Sequence, residues 1–112
     1  MSHKSKIVGI WRNEDIEYIF FKDNRLRIYW IKDNWTSGGR YFLKRDIIVL
    51  RYGSYWHRTD YKGQITSISD SELSILDLTE EIGKIDTVKR VDSSLLGIKL
   101  NSKSKWGEND ND

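Results

Sequence analysis

The sequence predicts an all-β fold: an antiparallel meander of seven to nine short strands closed into a small barrel. Three observations carry this expectation. Apolar and polar residues alternate with a period of two through most of the chain between residues 16 and 91. The alternating runs are separated by short clusters of Gly, Asn, Asp and Ser, and the 112 residues contain no proline. No segment shows a sustained helical period. The nearest, "SDSELSILDLTEEI", aligns Leu73, Leu76 and Ile82, but Thr66, Ser67, Ser69, Ser71 and Ser74 around its start are weak helix formers. A flat sheet of so many strands would leave two exposed edges, and closing it removes both.

The elements follow in order. "KIVGIW" (6–11) opens the first strand. In "IEYIFFKDNRLRIYWI" (16–31) two alternating runs flank a Lys22-Asp23-Asn24 turn, which reads as a hairpin. Arg25 and Arg27 mark the wet face, so Leu26, Ile28 and Trp30 face inward. "KDNWTSGG" reads as a loop. "RYFLK" (40–44) puts Tyr41 and Leu43 on one face, Arg45-Asp46 turns the chain, and "IIVLRY" (47–52) is a largely buried strand. "GQITSIS" (63–69) is weaker, and the spacing of three between Ile65 and Ile68 predicts a bulge. "ELSILDL" (72–78) and "IDTVKRV" (85–91) complete the clear strands around a loop at Gly83. "LLGIKL" (95–100) is expected to add a short closing element. Residues 1–100 then form one barrel domain, and the polar stretch 101–112, with Trp106, is expected to be a disordered tail.

Composition narrows the chemistry. With no cysteine, a disulfide framework, a thiolate zinc site and a cysteine nucleophile are all excluded. Nineteen basic against seventeen acidic residues give a net charge of +2, with no block of like charge, which argues against a dedicated nucleic-acid binder. No apolar run reaches the length of a membrane helix. "MSHKSKIVGIW" lacks the apolar core of a signal peptide. The chain as it stands is therefore expected in the cytoplasm, or outside it where an export signal precedes this sequence.

No catalytic set emerges. His57 is the only internal histidine, and His3 is placed in a loose terminus. No histidine spacing suits zinc, and neither metal nor cofactor is expected. Ser54, His57 and Asp60 lie close in sequence but lack a nucleophile elbow. Glu14-Asp15 and Glu80-Glu81 read as solvated turn charge. The expectation is a protein without enzymatic activity.

The Gly-x-Trp at Gly9, Ile10 and Trp11, together with Arg90 in "VKRV", resembles the lipocalin and wider calycin superfamily, and in particular its small bacterial lipocalin-like domains. The likeness extends over residues 6–91 as an ordered series of hairpins. "IEYIFFKDNRLRIYW" looks like the second hairpin of such domains, "GRYFLKRDIIVL" like their fourth and fifth strands, and "GQITSISDSELSILDL" like their sixth and seventh. The resemblance implies that the Trp11 indole packs beneath the Arg90 guanidinium and seals one end. It also implies a small-molecule or lipid-binding module. The chain lacks the terminal helix and disulfides of secreted members.

The aromatic residues divide. Tyr18, Phe20, Trp30, Tyr41 and Phe42 lie in strand patterns and are expected in the core, whereas "RYGSYWHRTDY" (51–61) has no regular period. Trp30, Trp35, Tyr55, Trp56, His57 and Tyr61 are the expected ligand-binding set, with Trp56 as anchor; Gly9, Trp11 and Arg90 are the expected structural set. The rings either fold as a lid over the core or bind a small apolar or aromatic ligand. Two alternatives stand beside this. One is a protein-interaction module of inhibitor or immunity type with a filled barrel. The other is a single-stranded nucleic-acid binder using Arg25, Arg27, Tyr29, Arg40, Arg51 and Arg58.

Overall fold

The computed structural model describes residues 3–54 and 56–92. Eight strands form a closed antiparallel meander: β1 (Gly9–Arg12), β2 (Ile16–Phe20), β3 (Arg25–Trp30), β4 (Trp35–Lys44), β5 (Ile47–Gly53), β6 (Arg58–Ile68), β7 (Glu72–Asp77) and β8 (Ile85–Val91). Each pairs with the next, and β8 returns to β1 with Ile10 opposite Val91 and Trp11 opposite Arg90. The period-two reading therefore specifies the ring. Inward residues such as Phe20, Leu26, Ile28, Ile48, Leu50 and Leu73 are almost fully buried in one cluster. The spacing anomaly in β6 is a register shift between Ile65 and Ser67.

Four expectations need correction. Among the described residues there is one helix, α1 (His3–Ile7), so His3 belongs to a helical turn and the first strand starts at Gly9, not Lys6. Five residues carry no readable period. The helix is held by tertiary contacts, because Ile7 is fully buried against the barrel core. Next, β4 begins at Trp35 rather than residue 40. Its Ser37-Gly38-Gly39 segment has low strand propensity, but all three residues pair with β3, and Gly39 pairs with Tyr52 of β5 as well as with Leu26. In the same way β6 reaches back to Arg58, so the unpatterned stretch is mostly the two arms of a hairpin. Last, Phe42 points outward, is 39% exposed and lies under Arg51. The expected element at 95–100 and the tail at 101–112 lie outside the described residues.

The barrel has unlike ends. One end carries the β2–β3, β4–β5 and β6–β7 turns together with α1. The Trp11 indole N–H donates to Ile7 O at 2.8 Å. The Arg90 guanidinium lies 4.2 Å from the Trp11 ring centroid. It also donates three hydrogen bonds, to Lys6 O (2.6 Å), Val8 O (3.0 Å) and Asp70 O (2.7 Å). Two side chains thus satisfy carbonyls at the end of α1 that a helix C-terminus leaves open. This end is packed shut by Ile7, Trp11, Phe20 and Tyr41, all 0% exposed. The other end carries the β1–β2, β3–β4, β5–β6 and β7–β8 loops, and it is the mouth.

Candidate functional site

Inward positions at the mouth follow from the same parity as the core. Continuing each strand outward from its buried residues gives Ile16 and Tyr18 on β2, Trp30 on β3 and Tyr52 on β5. It gives Tyr61 on β6, Asp77 on β7 and Asp86 on β8. These residues, with Ile28, Leu50 and the loop residues Glu80, Glu81 and Lys84, line a cavity of about 140 Å³ inside the open end. Four rings enclose it. Trp30 and Tyr52 meet with centroids 5.4 Å apart at 56°.

The hydroxyls are the unusual feature. Tyr41, deeper in the barrel, donates to Phe21 O at 2.6 Å. Tyr18 is 8% exposed, yet its hydroxyl has no hydrogen-bond partner among the described residues, and the same holds for Tyr52 and Tyr61. Burial, with the neighbouring Tyr61 and Asp86 adding to it, pushes the Tyr18 phenol far above its ordinary range, so it stays protonated. Burial likewise raises Tyr52 and Tyr61, helped by Glu80 and Asp77 respectively. Three neutral phenols therefore present donors and acceptors to one small space.

The β7–β8 loop brings charge to the rim. Asp77 is 5% exposed, and its carboxylate accepts backbone N–H bonds from Thr79 (2.8 Å), Glu80 (3.0 Å) and Glu81 (3.0 Å). Burial works to raise its pKa, but these three bonds and Lys84 outweigh it and hold the carboxyl below its usual range. Lys84 lies 3.2 Å from Glu81 and 3.8 Å from Asp86. Four carboxylates, Asp77, Glu80, Glu81 and Asp86, thus face one ammonium, a formal balance of −3 at the cavity.

The expected site residues divide between two places. Trp30 and Tyr61 line the cavity. Trp30, Trp35 and His57 line an adjoining open groove of about 610 Å³ with Ser37, Tyr52, Ser54 and Thr59, so Trp30 and Tyr52 serve both. Trp56 is 83% exposed and lines neither. Tyr55 lies outside the described residues. Gly9, Trp11 and Arg90 are together at the sealed end. Tyr18, Tyr52, Asp77 and Asp86 line the cavity without being singled out by the sequence pattern, and Glu80-Glu81, expected as solvated turn charge, stand at its rim. The signal for the inward four was strand parity, extended past the last apolar residue.

Catalytic geometry is not assembled from Ser54, His57 and Asp60. Ser54 Oγ accepts the His57 backbone N–H at 3.2 Å, and Asp60 is bound to Arg51 at 3.0 Å. Among the described residues no group of three or more His, Cys, Asp or Glu side chains is placed to hold a metal ion. No described helix is long and apolar enough to cross a membrane. The basic strand residues Arg25, Arg40 and Arg51 stand in one cross-strand row on the outer face, with Asp60 next in line. No family model, no curated protein and no solved structure matches this chain.

Proposed function

We propose that this protein is a non-enzymatic binding module of lipocalin-like type that holds a small molecule in the mouth of its barrel. The observation that carries the reading is the contrast between the two ends. One is sealed by Trp11, Arg90 and α1. The other keeps an open cavity of about 140 Å³ walled by Tyr18, Trp30, Tyr52 and Tyr61. Concave sites with aromatic walls and a few convergent polar groups are what small ligands select. The ordered hairpins and the Gly9, Trp11 and Arg90 closure support the lipocalin-like assignment. The volume sets the scale: a cavity of ~150 Å³ accommodates a molecule the size of benzene, so a long-chain lipid is too large for it.

A filled cavity tests the proposal. Ile16 is half-buried at the cavity edge. Ile16→Trp is expected to fill the space, to leave the melting temperature within a few degrees and to abolish uptake of small aromatic probes followed by NMR. Unchanged uptake in that variant would place binding elsewhere.

A second reading has its own observation. Trp35 is 63% and Trp56 83% exposed, both beside the mouth. Large exposed rings are typical anchors of protein interfaces. On this reading the mouth loops dock a protein partner, and Trp56→Ala would weaken capture of that partner without affecting small-molecule uptake.

A further inference from the structure

The cavity selects among ligand chemistries. An anion entering it meets four carboxylates and a single ammonium. A purely apolar ligand displaces water from the hydroxyls of Tyr18, Tyr52 and Tyr61, and none of these has a protein partner among the described residues to replace it. Tyr18 is the most constrained of the three, because it is only 8% exposed while it lines the cavity. A group that donates several hydrogen bonds and carries positive charge answers both features. The phenol oxygens and the rim carboxylates all accept hydrogen bonds, and a primary ammonium offers three donors. Aromatic faces add attraction for a cation, and Trp30 and Tyr52 supply two that already meet at the cavity wall.

We propose that the cavity's ligand is a small protonated primary amine. Its ammonium is held among the hydroxyls of Tyr18, Tyr52 and Tyr61 beneath the acidic rim, and its compact hydrocarbon body lies against Trp30 and Ile28. The proposal rests on the cavity being a ligand site. It adds the class of ligand and the residue that discriminates. Tyr18 supplies an unpartnered acceptor on the cavity wall, Asp86 and Glu80 supply the field at the entrance, and the volume limits the body to about the size of one aromatic ring.

The test compares benzylammonium with benzyl alcohol, which has nearly the same shape and no charge, by calorimetry and NMR on the full chain at neutral pH. Benzylammonium is expected to bind at least about tenfold more tightly, the difference between a charge-assisted and a neutral hydrogen bond. Its affinity should fall as salt is raised. Tyr18→Phe should weaken the amine by about tenfold while the melting temperature stays unchanged, since the hydroxyl lost had no protein partner. Glu80→Gln should narrow the preference for amine over alcohol and leave alcohol affinity unchanged. Equal binding of the two probes would overturn the amine while keeping the cavity as a ligand site. Binding of neither would overturn both. Amine binding that survives Tyr18→Phe, with shifted resonances on the outer strand faces, would also overturn it.

Discussion

Gly9 shows how tightly a single position is specified. Its φ is +149°, and a Cβ there would run into the Arg90 guanidinium, which is pinned by three carbonyls. Gly9→Ala is therefore expected to lower stability by roughly 1–3 kcal/mol, read as a fall in the denaturation midpoint. Trp11→Ala removes a fully buried indole and should cost about 3–5 kcal/mol. Trp56→Ala removes a ring that is 83% exposed and should shift the melting temperature far less than Trp11→Ala. An equal loss in both variants would refute the assignment of Trp56 to the surface. Residues at this scale were unevenly legible. Glycine, tryptophan and arginine at fixed places in strands are visible in the sequence. That a buried phenol such as Tyr18 lacks a partner is not, because partnership depends on what the other strands bring to it.

At the scale of elements, the strands were readable because alternation repeats over five to seven residues, and even the β6 bulge announced itself as a broken period. The loops were not, since their conformation depends on backbone angles and caps. Arg45, first residue of the β4–β5 turn, has φ +56°, a region that disfavours side chains with a Cβ. Arg45→Gly should relieve more strain than it adds in chain entropy and raise stability by about 0.5 kcal/mol, detectable as a higher melting temperature. The β7–β8 loop carries a pH dependence through Asp77. Its carboxyl is held below the usual 3.8 in the folded state, so the unfolded chain binds the proton more readily. The stabilisation is present above about pH 4 and is lost as pH falls through the folded value. Asp77→Asn should flatten the acid limb of a stability-against-pH profile. An unchanged limb would show that the loop does not depend on the ionised carboxylate. The same loop explains why Glu80 and Glu81 looked like ordinary surface charge: only the turn organised by Asp77 carries them to the rim.

Across the whole molecule, the ring and its interior were legible from alternation and from the need to bury edges, and eight strands were found where seven to nine were expected. The polarity of the barrel, sealed at one end and open at the other, was half legible. Gly9, Trp11 and Arg90 pointed to the sealed end. The mouth was legible in Trp30 and Tyr61, but the rest of its inner wall includes Tyr18, Asp77 and Asp86, in patterned strands whose inward residues change from isoleucine and leucine to tyrosine and aspartate. Closure also sets the order of events in the life of the chain. β1 finds one of its two partners only in β8, and Arg90 reaches back 84 residues to Lys6 and 82 to Val8. Contacts this distant in sequence make for slow folding, on the scale of milliseconds to seconds. A nascent chain cannot complete the ring until β8 has left the ribosome, and until then β1 and the newest strand remain open edges able to pair with other chains. A chain cut at Lys84 is accordingly expected to aggregate during synthesis, and measuring its soluble fraction beside that of the full chain checks this.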